Sequence, residues 1–161
     1  MSVNTKTVSG RRSVRYDSYD DVVADAERLA AGSVKTVGNW TFAQILEHLA
    51  ISFNSSIDGI PFKVPLPMRI MGRLFFKSKF LNKEVPSGFQ IPDGARGHFL
   101  PPDSTEVAQG IADLKAAVER CKVETQRCRH PLFGELTLAE WEKFGLRHAE
   151  MHMSFAMPAD G

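Results

Sequence analysis

Four stretches of the chain repeat apolar residues at three- and four-residue steps, which is the spacing of a helix that buries one face. The pattern predicts helices over about 18–31, 42–57, 105–124 and 138–157. It contains no convincing alternation of apolar and polar residues, the pattern expected of half-buried strands. The sequence therefore predicts an all-α fold, a four-helix bundle with antiparallel packing and a long irregular crossover between helices two and three.

The second and fourth predicted helices begin with the same signal. In "WTFAQI", Thr41 and Gln44 form a T-x-x-Q capping box, and in "LTLAEW", Thr137 and Glu140 form a T-x-x-E box. Each box is flanked by apolar residues at the positions of a hydrophobic staple. These two helix starts are therefore the best defined in the sequence.

Residues 60–103 are the least regular part of the chain and hold seven of its nine prolines. Within this part, "LPMRIMGRLFFKSKFLNK" predicts a short amphipathic helix. Basic residues recur at four-residue steps along one of its sides: Arg69, Arg73 and Lys77. We expect the basic side to face solvent while the rest of the helix makes an internal contact. The alternative is that the segment lies on a membrane surface. The long connection is a candidate lid or subunit contact, and Asp103 or Ser104 is expected to cap the helix that follows it.

Composition favours an ordinary globular domain. The 161 residues fit one domain, predicted over 16–157 after a basic arm at 1–15. Lys and Arg (20) nearly balance Asp and Glu (19), so bulk charge gives no case for nucleic acid. No secretory signal and no apolar run of spanning length is present. We therefore expect a cytoplasmic protein without nucleic-acid or membrane partners.

Two histidines stand one turn apart near the end of the last predicted helix. Each helical residue advances about 100°, so His148 and His152 lie roughly 40° apart on one face. Trp141 and Phe155 lie within about 20° of His148, so the pair should point into the bundle. Two such imidazoles either chelate one metal ion or are hydrogen-bonded core residues. Glu150 is turned about 200° from His148, which excludes the zinc-protease arrangement H-E-x-x-H.

His48, in "QILEHLA", could supply a third nitrogen ligand. It lies on the border of the apolar face of its helix, which suits a polar cavity between helices, although a partly exposed surface histidine is the alternative. The residues expected to line that cavity are Gln44, Ser52, Trp141 and Phe155. No catalytic base can be assigned, because Glu47 is turned about 100° from His48. His130 is expected to order the "RHPLFGELT" turn, and His98 carries no signal.

Two long segments resemble the DinB-like superfamily. "NWTFAQILEHLA" is similar to its helix-two signature, and "HPLFGELTLAEWEKFGLRHAEMHMSF" resembles its C-terminal block. "RRSVRYDSYDDVVADAERLAAGSVKTVGNWT" is similar to the start of a subfamily described only as a domain of unknown function. The resemblance covers about 11–155. It implies a four-helix bundle, often dimeric, in which His48, His148 and His152 hold a divalent metal ion in an open cavity.

The resemblance is to a superfamily of YfiT-like metalloenzymes whose relatives include S-transferases and isomerases that use small thiols such as mycothiol or bacillithiol, and also hydrolases. Our first hypothesis is therefore a divalent-metal-dependent enzyme, with zinc or nickel favoured, that acts on a small molecule by thiol transfer or hydrolysis. The alternative is a non-catalytic bundle that binds a ligand or partner. A third hypothesis is peripheral membrane or nucleic-acid binding through the basic arm and the 69–83 segment.

Overall fold

The computed structural model describes residues 3–88, 91 and 93–159 and is mostly helical. A π-helical segment, Gly72–Phe76, joins two of its short α-helices. The α-helices are α1 (Tyr19–Ala30), α2 (Phe42–Asp58), α3 (Leu66–Met71), α4 (Lys77–Asn82), α5 (Asp93–Phe99), α6 (Val107–Val123) and α7 (Leu138–Met153). Two short strands, β1 (Val34–Thr36) and β2 (Ala156–Pro158), form an antiparallel pair.

The four long helices α1, α2, α6 and α7 surround one core. They correspond to the four helices predicted from apolar spacing, with ends within a few residues of those expected for three of them. Fully buried side chains come from several of these helices, among them Val22, Leu49, Leu114 and Met153. Burial of this apolar face supplies most of the stability of such helices, because isolated helices of this length are marginal in water.

The two predicted capping boxes are confirmed. The Thr41 hydroxyl accepts from the Gln44 backbone N–H, and the Gln44 side-chain oxygen accepts from the Thr41 N–H. Thr137 and Glu140 repeat the arrangement at the start of α7. Both helices that carry the candidate histidines therefore begin where the sequence indicated.

The predicted cap of the third long helix is wrong. Its N-cap is Glu106, whose side chain makes no capping hydrogen bond. Asp103 instead accepts a hydrogen bond from the Gln44 side-chain amide at 2.9 Å. The connection before α6 is thus held to the start of α2, because Asp103 bonds to Gln44 of that helix instead of capping α6.

The end of the last helix also differs from the prediction. α7 ends at Met153 rather than near Met157, and the residues that follow form β2, which pairs with β1. Three-residue strands are too short to show an alternating pattern, so the expectation of no strands failed here. The predicted N-terminal arm packs against this end: the Arg12 N–H donates to the Ser154 carbonyl at 2.8 Å.

The irregular 60–103 region contains more helix than predicted. Its amphipathic stretch forms α3, the π-helical segment and α4 as one continuous helical piece. α5 was missed, because two of its seven residues are glycines, which are poor helix formers. The expected internal contact of the apolar side is wrong for Ile70, Leu74 and Phe75, which are exposed. Within the described residues, no helix has the length and apolar character needed to cross a membrane.

Candidate metal centre

α2 and α7 bring His48, His148 and His152 together. The nearest ring nitrogens of the three side chains all lie within 4.8 Å of one another. His148 Nε2 lies 3.4 Å from His48 Nε2 and 3.0 Å from His152 Nε2. The inward direction predicted for the α7 pair is confirmed, and His48 is buried between helices rather than on the surface. His148 and His152 keep part of their surface accessible.

The close approach of α7 to its neighbours depends on a missing side chain. A Cβ atom at Gly145 would lie 3.1 Å from the Tyr19 hydroxyl and 3.3 Å from the Phe53 ring. Tyr19 belongs to α1 and Phe53 to α2, so this glycine lets α7 pack against both helices. His148 follows three residues later, which places it opposite His48 on α2.

A backbone carbonyl fixes the orientation of His48. Its Nδ1 lies 2.8 Å from the carbonyl oxygen of Phe99, at the end of α5. Nδ1 must carry the proton to donate to a carbonyl, so the lone pair lies on Nε2, which faces the other two histidines. This is the usual partner of a metal-ligating histidine. No local sequence pattern indicates this contact, because the position of α5 depends on the tertiary fold.

Aromatic rings enclose the cluster. The Trp40 ring stacks on His152 with a centroid separation of 5.4 Å and an interplanar angle of 9°. The Phe144 ring stacks on His148 with a centroid separation of 6.1 Å. From the sequence, Trp40 is predicted at a hydrophobic-staple position, and it lies in "NWTFAQILEHLA", which resembles the DinB-like helix-two signature. Neither signal predicts the contact of its ring with His152.

The surroundings keep the three imidazoles neutral. Burial lowers the pKa of His48 to about 4, although the Phe99 carbonyl opposes the shift. Burial, together with the nearby His48 and His130, lowers the pKa of His148 to about 3. The pKa of His152 also lies well below its ordinary value, chiefly because of burial. All three are therefore in the form that binds metal at neutral pH.

Two of the three nitrogen–nitrogen distances in the cluster match those between ligands of one metal ion, and the third pair of nitrogens lies within 4.8 Å. Two nitrogen ligands about 2.1 Å from a tetrahedral zinc ion lie about 3.4 Å from each other. The distances of 3.0 and 3.4 Å from His148 Nε2 are close to this value. The donor set, three neutral imidazoles, is one that zinc, nickel and iron accept. Within the described residues, the cluster contains no carboxylate.

The four residues predicted to line the cavity have different surroundings. Gln44 uses its side-chain oxygen in the capping box and its nitrogen on Asp103. Ser52, one turn from His48, has a buried hydroxyl with no hydrogen-bond partner among the described residues. The indole N–H of Trp141 donates to a backbone carbonyl, and Phe155 lies under the Arg11 guanidinium at 4.5 Å. Ser52 is therefore the one whose polar atom is free to meet a ligand.

The remaining candidates lie apart from the cluster. Glu150 accepts a hydrogen bond from the Tyr16 N–H at 2.7 Å and pairs with Arg147, on the far side of α7. Glu47 lies beside Asp113 of α6. Burial, and secondly the charge of Asp113, raise the pKa of Glu47. His98 contacts the Ser55 hydroxyl at 2.7 Å. No candidate for a catalytic base therefore emerges from these residues.

The comparisons with known proteins give a family and no activity. A family model described as "Protein of unknown function (DUF1569)" matches residues 8–159, which include all three histidines. No curated protein matches the chain, and no solved structure matches it either. Because the family model covers nearly the whole chain, the protein belongs to the DUF1569 family.

Proposed function

We propose that this protein is a divalent-metal-dependent enzyme that acts on a small molecule, with His48, His148 and His152 as the metal ligands. The observation that carries the proposal is the convergence of three neutral ring nitrogens within 4.8 Å of one another, with two of the three distances close to those between ligands of one ion. We further propose that α1, α2, α6 and α7 form a four-helix bundle of the DinB-like type. The resemblance of the two histidine-bearing segments to that superfamily supports this assignment.

The protein's own residues would prepare the site. The Phe99 carbonyl holds the proton of His48 on Nδ1 and directs its lone pair inward. Trp40 and Phe144 restrict the rotation of the other two imidazoles by stacking on them. Three protein ligands would leave at least one coordination position of the ion for water or substrate. A divalent ion there would supply Lewis acidity, lowering the pKa of a coordinated thiol or water.

We place thiol transfer before hydrolysis. Hydrolysis commonly uses a carboxylate near the metal to take a proton from water, and the cluster includes none among the described residues. A thiol has a much lower intrinsic pKa than water, so a bound divalent ion would favour its thiolate without a protein base, with the proton passing to solvent. We assign the Ser52 hydroxyl, which is buried one turn from His48 and has no hydrogen-bond partner among the described residues, to a hydrogen bond with a polar group of the substrate. Zinc or nickel and a low-molecular-weight thiol are the expected metal and co-substrate.

The first test is elemental analysis of tag-free protein beside a His48→Ala, His148→Ala and His152→Ala triple variant. A His98→Ala variant is the matched control, because His98 lies outside the cluster. We expect about one divalent ion per chain in the wild type and the control, and none in the triple variant. Cobalt substitution would then give the visible absorption of a nitrogen-ligated tetrahedral ion.

Two results would contradict the proposal. Equal metal content in the triple variant would place the metal elsewhere. No metal after incubation with zinc or nickel would favour the alternative, a non-catalytic bundle that uses the histidines as buried polar contacts. With metal present, consumption of mycothiol or bacillithiol in the presence of an electrophile would distinguish thiol transfer from hydrolysis.

A further inference from the structure

Positive charge is concentrated in one segment of the chain. Residues 60–83 include six basic side chains and no Asp or Glu. The net charge of +1 therefore divides into +6 for this segment and −5 for the rest of the molecule. The basic residues are Lys63, Arg69, Arg73, Lys77, Lys79 and Lys83. Such a separation gives one surface a field that attracts anions although the whole chain is nearly neutral.

The same segment exposes large apolar side chains. Leu74 is 69% and Phe75 72% exposed, and Ile70 is 52% exposed. Their exposed apolar neighbours on the segment are Leu66, Met68, Met71 and Phe76. Scattered exposed apolar residues are ordinary, but a contiguous group of this kind marks a surface that another apolar phase covers.

The opposite side of the segment is packed against the protein, so the outward side is held in place. Gly72 faces Leu132 so closely that a Cβ atom would lie 2.5 Å from that side chain. The Phe80 ring contacts Phe133 at 5.6 Å, and Lys77 pairs with Glu140 at 2.8 Å. The exposed apolar side is therefore not free to fold inward without breaking these contacts.

Two guanidinium groups on the segment lack a carboxylate partner. Arg69 and Arg73 form no ion pair within the described part of the chain. With Arg129 they line a cleft of about 160 Å³. The apolar walls of this cleft include Leu66, Ile70 and Leu132. An anionic group with an apolar body matches this combination of cations and apolar walls.

We propose that Leu66–Lys83 binds the surface of a bilayer that contains anionic phospholipids. Ile70, Leu74 and Phe75 would lie at the level of the acyl chains, while Arg69 and Arg73 contact the phosphates. This differs from the sequence expectation of no membrane partner, which rested on the lack of a spanning run and on the interpretation of this segment's basic side as a solvated face over an internal contact. A helix that lies in the interface requires no such run.

Charge argues against the two other occupants of this surface. A second copy, related by a two-fold axis, would bring this basic segment against itself, which is repulsive. Nucleic acid would satisfy the charge but leave the apolar side chains in water, since its backbone offers phosphates and sugars. Anionic lipid satisfies both features at once.

The test is flotation of the full chain with vesicles. We expect binding to phosphatidylcholine vesicles that contain phosphatidylglycerol, much weaker binding to phosphatidylcholine alone, and a decrease as sodium chloride is added. A Leu74→Ser and Phe75→Ser variant and an Arg69→Gln and Arg73→Gln variant should each lower the partition coefficient about tenfold or more. The matched controls are Val123→Ser with Leu138→Ser, which are exposed apolar residues elsewhere, and Lys115→Gln with Lys122→Gln; both should bind as the wild type does.

Several results would overturn the proposal. These are no binding to either vesicle, equal binding to neutral and anionic vesicles, or equal losses in the control variants. A dimer in sedimentation equilibrium that Leu74→Ser and Phe75→Ser dissociate would assign the surface to a second copy instead. Tight binding of an oligonucleotide, with no binding to vesicles, would assign it to nucleic acid. Circular dichroism of each variant checks that the helical fold is retained.

Discussion

His130 performs a structural task with its Nδ1 atom, whereas the three histidines on α2 and α7 present Nε2 to one another. Its Nδ1 accepts hydrogen bonds from the N–H groups of Leu132 and Phe133, at 3.1 and 3.0 Å. Its ring stacks on Phe133 at 4.5 Å. The prediction that this histidine orders the "RHPLFGELT" turn is therefore confirmed.

Replacing His130 by Ala should destabilise the protein without emptying the histidine cluster. The change leaves two backbone N–H groups without an acceptor, and we expect the free energy of unfolding to fall by about 2–4 kcal/mol. His130→Asn is the control, since its side-chain oxygen can accept from the same groups and should retain part of this stability. Urea denaturation measures both. Equal losses in the two variants would show that ring packing, rather than hydrogen bonding, dominates.

Asp25 should make stability depend on pH in the acid range. Burial raises its pKa, but hydrogen bonds from Arg12, Tyr16 and Arg28 outweigh burial and lower the pKa from 3.8 to about 2. A group with a lowered folded-state pKa stabilises the protein above its unfolded value and loses that contribution as the pH falls. We expect about 1–2 kcal/mol of the free energy of unfolding to disappear between pH 4 and pH 2. An Asp25→Asn variant, followed by denaturant titrations in that range, should show a shallower decline; an identical decline would contradict the assignment.

At the scale of elements, the contact between α2 and α6 depends on a glycine. A Cβ atom at Gly110 would lie 2.9 Å from the Leu46 Cβ and 3.2 Å from the Ala43 carbonyl oxygen. Alanine is the better helix former by about 1 kcal/mol, but crowding of this kind costs about 1–3 kcal/mol. The two effects have opposite signs, and the backbone oxygen cannot move aside easily.

Gly110→Ala should therefore lower the free energy of unfolding by about 1–2 kcal/mol. Gly97→Ala is the matched control, because Gly97 is also helical and has no atom within 4 Å of its Cβ position. That control should be stabilised by about 0.5 kcal/mol. Thermal or urea unfolding gives both values. A stabilised Gly110→Ala variant would mean that α2 and α6 separate at little cost.

The elements that were predictable are those whose signals are local. Thr41 with Gln44, and Thr137 with Glu140, specify helix starts within four residues, so their capping boxes could be read directly. β2 pairs with β1 across more than a hundred residues, and three residues carry no periodic signal of their own. α5 has weak helix formers and gains its position through Phe99, which contacts His48. Such elements follow from tertiary contacts that no local pattern encodes.

At the scale of the whole molecule, a bound metal would connect α2 to α7. A ligand that binds only the folded state at a hundredfold excess over its dissociation constant adds about 2.7 kcal/mol of stability. Zinc should therefore raise the melting temperature of the wild type and of His98→Ala by about 5–10 °C, and leave that of His48→Ala nearly unchanged. Differential scanning fluorimetry measures the shifts. A similar rise in all three proteins would indicate that zinc binds elsewhere.

The histidine cluster itself was predictable to the extent that helix geometry fixes direction. The spacing of His148 and His152 gives one face, and their aromatic neighbours show that it points inward. Helix spacing could not bring His48 opposite them, because that depends on how α2 and α7 pack, and the resemblance to a known superfamily supplied it. The contacts of the Phe99 carbonyl with His48 and of the Trp40 ring with His152 follow from the tertiary fold and could not be predicted from the sequence. The outward direction of Ile70, Leu74 and Phe75 was missed for the same reason.

The separation of the three histidines along the chain also sets the order of events during synthesis. His48 and His148 are a hundred residues apart, and the contacts of Arg12 with residues 153–156 span more than a hundred and forty. A chain emerging from the ribosome can form α1 and α2 early, but it cannot complete the cluster until α7 has been translated. Contacts of such long range form late and slow the folding of small domains. The nascent chain therefore lacks the complete histidine cluster until α7 has left the ribosome, and any metal ion held by the three histidines together would be bound only after that point.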